Sequence, residues 1–150
     1  MVSQIVLLAP LGRSSDRDIV ARFCNDIPTV LFDSNIEGVG DVFVGSDNPQ
    51  FTSQMVEYLC RTGQPPSFFE MKTPPNPNAR KRRLGYTNAM ESHGFEPRIF
   101  EALGEGWALE EIGRQEGMRF LEQLVGDSQT VLCSNDRLAI GFLSACFNKG

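Results

Sequence analysis

The last twenty residues place the tightest constraint on how this chain can fold. Val131-Leu132-Cys133 is an apolar strand segment that runs into Ser134-Asn135-Asp136. An apolar helix pattern follows, through Leu138-Ala139-Ile140-Gly141, and stops at Gly150. Asn135 suits an N-cap, and Asp136 places negative charge where a helix N-terminus favours it. A strand that feeds a helix through two polar side chains is half of a βαβ unit. In doubly wound sheets, ligands bind outside the carboxyl ends of such strands.

The same grammar recurs upstream. Ile5-Val6-Leu7-Leu8-Ala9 is a continuous apolar run, as expected of a strand buried on both faces. Ser14 or Ser15 can cap a helix with Asp16 and Asp18 in its first turn and Ile19, Val20 and Phe23 on one face. Strands are predicted at Thr29–Asp33 and Asp41–Val44. Asn48 followed by Pro49 starts a helix whose stripe is Phe51, Met55, Tyr58 and Leu59, closed by Gly63. Pro65-Pro66 blocks continuation and divides the chain into a first lobe, 1–65, and a second, 66–150. In the second lobe, Ser67–Met71 reads as a strand, Pro74–Asn78 as a turn and Ala79–Ser92 as a helix ending at His93-Gly94. Phe95–Gly106 reads as loop. A helix from about Trp107–Leu109 to Leu124 turns Ile112, Phe120, Leu121 and Leu124 inward. The expected class is α/β, with doubly wound parallel sheets in two Rossmann-like lobes.

Composition excludes several functions. A net charge of −5 argues against gripping nucleic acid through the general surface. No apolar run approaches the roughly 20 residues of a membrane span, and Met1-Val2-Ser3-Gln4 lacks a signal peptide's basic start. Cys24, Cys60, Cys133 and Cys146 are scattered without a CxxC pair and read as buried free thiols, which fits a reducing cytoplasm.

Three polar groups follow apolar strands: Asp33, the stretch Asn78 to Arg82, and Asn135. If the strands are parallel, these groups gather on one side, and two lobes facing across it would enclose a polar cleft. Asp33 accepts hydrogen bonds, Arg82 donates from a fixed fork, Asn135 does both, and Trp107 offers a flat face. Such a set suits a polyhydroxylated or heterocyclic small molecule. Each residue also has a bland role: Asp33 as a turn cap, Asn135 as a helix cap, Trp107 in a core, and Arg80-Lys81-Arg82-Arg83 as a solvated patch. Four cations near a helix N-terminus oppose the macrodipole, however, and need partners. Catalysis finds little support. The sole histidine, His93, sits at a helix end, and GxSxG, P-loop and GxGxxG patterns are lacking. No ligand spacing calls for a metal, and no cofactor is implied.

Five segments in order carry a family resemblance: Ile27–Asp33, Val44–Asn48, Asn78–Tyr86, Glu105-Gly106-Trp107 and Leu132–Gly141. Together they resemble the effector-binding domain of the lactose-repressor (LacI/GalR) family of transcription regulators. That domain shares its fold with type I periplasmic sugar-binding proteins. The resemblance implies effector contacts by Asp33, Arg82 and Asn135, added hydrogen bonds from Asn76 and Asn78, and an aromatic surface from Trp107. Gln50-Phe51-Thr52 departs from the glycine usual in that helix.

The resemblance also implies truncation. Family members carry a helix-turn-helix domain, a hinge and two strand–helix units before Ile5, and further strands after Gly150. The chain is therefore expected to be an incomplete effector domain that exposes sheet edges or apolar surface and tends to associate. The reading is the ligand-sensing portion of a cytoplasmic, homodimeric regulator that meets DNA only through an absent domain. Alternatives are a periplasmic sugar-binding protein serving a transporter and, less favoured, an enzyme on a doubly wound fold.

Overall fold

In the computed structural model, residues 5–8, 17–123 and 130–150 are described. They form β1 (Val6–Leu8), α1 (Arg17–Asp26), β2 (Thr29–Phe32), β3 (Val42–Val44), α2 (Asn48–Thr62), β4 (Ser67–Met71), α3 (Asn78–Ser92), β5 (Ile99–Ala102), α4 (Leu109–Gln123), β6 (Val131–Cys133) and α5 (Asp136–Lys149). The expected cap at Ser14 or Ser15 with Asp16, and the inward Leu124, lie outside the described residues. Two three-stranded sheets result, ordered β1-β2-β3 and β5-β4-β6, and every strand pair is parallel.

The chain divides into two compact units: Met1–Asp47 with Pro75–Asn78, and Asn48–Pro74 with Ala79–Gly150. Packing therefore assigns α2 to the second unit, ahead of the Pro65-Pro66 break expected to divide the lobes. The reason lies in the small residues along α2. Thr52 and Val56 are buried, and Ser53 Oγ donates to the Gly85 carbonyl at 3.0 Å. A Cβ on Gly85 would lie 2.3 Å from the Pro49 carbonyl oxygen, so α2 and α3 meet backbone to backbone. This corrects the expected stripe, because Phe51, Met55 and Tyr58 are exposed and only Leu59 packs against the core.

In the second unit all five residues of β4 are buried, so both faces of the central strand are covered. Phe68 packs with Val56, Tyr86, Ala89, Met90 and Leu132 on one face. Phe69 and Met71 pack with Ala102, Leu109, Ile112, Phe120, Leu138 and Phe142 on the other. Helices on both faces of a parallel sheet are the doubly wound arrangement. The first unit is thinner. No α1 residue is buried, Ile19 and all of β3 are exposed, and the core is represented by Leu31 and Thr29 on β2.

β5 corrects the loop expected over Phe95–Gly106. Four residues with a glutamate among them give too short a period-2 signal. The strand is held as Phe100 stacks on Phe69, 5.4 Å between ring centroids, and Arg83 pairs with Glu101 at 2.8 Å. The end of α3 is as expected. Gly94 adopts φ +75°, and Phe95 N–H reaches back to the Met90 carbonyl at 3.0 Å, satisfying an otherwise orphaned acceptor. The four cysteines are free and partly buried, and burial pushes the Cys133 thiol up to about 12.

Tyr86 ties the second unit's sheet to its loops. Its hydroxyl donates to the Pro66 carbonyl at 2.9 Å and accepts from Arg98 N–H at 2.9 Å. Tyr86→Phe keeps the ring stacked on Phe68 but strands both backbone groups, at a cost of about 1–3 kcal/mol. Urea unfolding should show this as a lower midpoint at unchanged slope. An unshifted midpoint would mean that water replaces the hydroxyl without loss.

Candidate functional site

The residues expected at the site fall into both units and are treated by unit. In the first unit, Asp33 follows β2 directly and is exposed. Its φ of +63° makes it the only non-glycine with positive φ among the described residues. Such a conformation costs roughly 1–2 kcal/mol, less for aspartate than for most residues. Backbone bonds hold it: Asp33 N–H donates to the Val44 carbonyl at 3.0 Å, and its own carbonyl accepts from Asn78 Nδ2 at 3.1 Å. The turn after β2 is thereby fixed with the carboxylate outward.

Asn78 is 1% exposed. Its Nδ2 is committed to Asp33, whereas its Oδ1 is buried without a hydrogen-bond partner among the described residues. An orphaned buried acceptor costs about 1–3 kcal/mol until a donor reaches it. Asn76 lies half-buried in the turn just before.

In the second unit, the carboxyl ends of β4, β5 and β6 open into 72–77, 103–108 and Ser134-Asn135. Arg82, in the second turn of α3, donates from Nε to Asn48 Oδ1 at 2.8 Å and from Nη1 to the Ser134 carbonyl at 2.8 Å. These bonds join the starts of α2, α3 and α5 and fix the plane of the guanidinium. Nη2 has no protein acceptor among the described residues, so its two N–H groups are available. Asn135 caps α5: its backbone is extended, and Oδ1 accepts from Leu138 N–H at 2.9 Å. Its Nδ2 keeps its donor capacity. The capping role and a ligand role are thus compatible in one side chain.

Trp107 is 46% exposed in the loop between β5 and α4, which rules out the core role. Glu116 Oε2 accepts from Leu103 N–H at 2.7 Å and from Arg119 Nη2 at 2.6 Å, anchoring the start of that loop to α4. Arg119 also donates to the Glu101 carbonyl at 3.1 Å and lies 4.6 Å from the Phe100 ring centroid. Sequence reasoning missed Asn48, Ser134, Glu116 and Arg119 as supporting groups. Only Asn48 carried a signal, as a helix start, and nothing local pointed it at Arg82, 34 positions away.

Of the four consecutive cations, Arg82 and Arg83 turn inward to partners, and Arg80 is exposed. Consecutive helical positions fan apart, so such a run divides its roles. His93 is exposed at the end of α3, as its helix-end reading implied. Among the described residues no cluster of His, Cys, Asp or Glu could hold a metal ion. No helix among them is long and apolar enough to cross a membrane.

Two parallel sheets with flanking helices, and polar residues collected where strands give way to helices, define a two-lobed α/β fold of the periplasmic-binding-protein type. The chain shares this fold with LacI/GalR regulators and sugar-binding proteins of transport systems. It is similar to a sugar ABC transport substrate-binding protein from Bordetella parapertussis (TM-score 0.77, 17% identity, 97% of this chain and 46% of that one). It is also similar to a LacI-family regulatory protein from Chloroflexus aggregans (TM-score 0.77, 23% identity, 97% and 52%). A third similar structure is the Cra transcriptional dual regulator from Pseudomonas putida in complex with fructose 1-phosphate (TM-score 0.73, 17% identity, 97% and 53%). The chain spans about half the length of these structures. The first of these is a substrate-binding protein and the other two are regulators. No protein-family profile matches the sequence, and no curated protein sequence matches it.

Proposed function

We propose that this chain is the ligand-sensing portion of a LacI-type transcription regulator. It binds a small polar effector, a sugar or sugar derivative, and thereby controls DNA binding by a helix-turn-helix domain outside this chain. It is not an enzyme. The observation that carries the reading is Arg82, held by Asn48 and Ser134 with a pair of donors left over at the carboxyl edge of a parallel sheet. A guanidinium fixed in advance loses little freedom on binding an acceptor-rich ligand. Asn135 adds a donor, Asp33 and Asn78 add acceptors, Asn76 adds an amide, and Trp107 supplies an apolar plate. Sugars present such a mixture of hydroxyls and flat C–H faces.

The effector would act through differential affinity for two arrangements of the intact domain, since a ligand indifferent to conformation shifts nothing. We place the protein in the cytoplasm as a homodimer. Four free cysteines support the first point. The second is supported by Ile140, Leu143 and Phe147, an exposed apolar stripe at helical spacing on α5.

Arg82→Ala in the full-length protein is expected to weaken effector binding by about 1.5–3 kcal/mol, the worth of a charged hydrogen bond. Calorimetry against a panel of sugars and sugar phosphates checks this, and unchanged affinity would remove Arg82 from the site. A second reading has its own support, because sugar-binding proteins of transport systems match with TM-scores of 0.77 and 0.78, as closely as the regulators do. The intact native gene product separates the two. A helix-turn-helix upstream supports the regulator, and a processed signal peptide supports the transport protein.

A further inference from the structure

Glu70 lies on the central strand of the second unit's sheet, one residue from its carboxyl end, and is 2% exposed. Its partner across the parallel ladder is Glu101 on β5, in direct register. Arg83 reaches both carboxylates with one nitrogen: Nη1 lies 2.7 Å from Glu70 Oε1 and 2.8 Å from Glu101 Oε1. Two carboxylates against one guanidinium leave an excess negative charge, and the Glu70 side chain is withdrawn from water while Glu101 and Arg83 are partly exposed.

Among the described residues, β6 and α2 bring no inward-facing cation to Glu70. β6 contributes Val131, Leu132 and Cys133, and α2 turns Thr52 and Val56 inward while Glu57 and Arg61 are exposed. Lys72, two residues further along β4, is exposed, and Arg119 sits over Phe100 and bonds the Glu101 carbonyl rather than its carboxylate.

We propose that Glu70, Arg83 and Glu101 form a single proton-binding site that links the stability of the second unit to pH. The proton comes from solvent and settles on the Glu70 carboxyl, whose Oε1 faces Arg83, leaving Oε2 to carry it. Burial first, then repulsion from Glu101, push the Glu70 carboxyl up to about 7 against the pull of Arg83. A glutamate in the unfolded chain titrates near 4.3, so folding takes up a proton between those values. The sign follows from linkage. The stability this group provides is fully present below the unfolded pKa and is lost as pH rises through the folded pKa. The second unit, which holds Arg82, Trp107 and Asn135, therefore loosens as pH rises from about 4.3 to about 7, and the loss is complete just above neutrality.

The test uses the whole chain with glutamate side-chain carboxyls labelled with carbon-13. Glu70 should titrate with a midpoint close to 7, identified by its loss in Glu70→Gln. In parallel, the melting temperature of the unsubstituted chain should fall between about pH 4.5 and 7.5 and level off above that. Glu70→Gln keeps the bond to Arg83, and it should flatten that fall and melt higher at the alkaline end. Glu101→Gln removes the repulsion and should lower the Glu70 midpoint. A single carboxyl titrating high in the unsubstituted chain and shifted by Glu101→Gln supports the site even if Glu70→Gln does not fold. The proposal is overturned if every glutamate carboxyl titrates below about 5, close to its unfolded value, or if Glu70→Gln retains the full pH slope.

Discussion

Truncating Phe69 to alanine is expected to destabilise the second unit by about 3–5 kcal/mol, the range for a buried aromatic. Phe69 is 0% exposed and stands at the centre of a ring cluster. It stacks on Phe100 at 5.4 Å, meets Phe120 edge-on at 6.1 Å and tilts against Phe142 at 5.2 Å. These rings come from β5, α4 and α5, so a single side chain joins three elements to the central strand. The cavity cannot be filled cheaply, because Phe120 and Phe142 already pack on each other at 5.5 Å. A loss of that size is a large share of the 5–15 kcal/mol that typically holds a domain together. Guanidinium unfolding followed by circular dichroism measures it. A loss below about 1.5 kcal/mol, the cost of a volume-conserving swap, would mean that the cluster repacks around the gap.

Gly141→Ala should be nearly as damaging, against the trend for helices. In an exposed helix interior this change gains about 1 kcal/mol, since alanine is the better helix former. Here a Cβ at position 141 would stand 2.1 Å from the Glu110 carbonyl oxygen and 2.7 Å from the Arg114 nitrogen. The obstructing atoms are backbone, so no rotamer change relieves them. The contact is reciprocal, because a Cβ on Gly113 would lie 2.5 Å from the Leu138 carbonyl oxygen, and one on Gly117 3.0 Å from Ala145 Cβ. Helices α4 and α5 must separate, opening the packing of Leu138 and Phe142 on Phe69. Overpacking typically costs 1–3 kcal/mol and more when rigid groups collide, so a net loss of about 3 kcal/mol is expected. Thermal melts alongside an exposed-site control, Ser144→Ala, check it. A stabilised Gly141→Ala would show that the helices are not in backbone contact.

The two substitutions probe different kinds of information. Phe69 lies in an apolar strand run that announces burial, whereas Gly141 looks like an imperfection in an apolar helix. Only the crossing of α4 and α5 gives that glycine its purpose. The candidate site divides in the same way. Asn135 was legible as a cap, and the cap is formed. Arg82 was legible as one cation in a run of four. Its selection for Asn48 and Ser134 depends on helix phase and on groups 34 and 52 residues distant.

Local pattern determined the alternation of strands and helices, the parallel α/β class, the glycine stop after α3 and the polar positions where strands end. These features rest on near-neighbour physics: side-chain period, capping geometry and the conformational limits of proline and glycine. Tertiary structure alone decided that β5 is a strand, that α2 packs through Thr52 and Val56 rather than Phe51 and Met55, and that Glu70 is buried against Glu101 with one arginine between them. Each of those outcomes depends on which surfaces approach closely enough to exclude water. Close approach is governed by small residues at Gly85 and Gly141 and by charges that meet across strands, and neither leaves a periodic mark in the sequence.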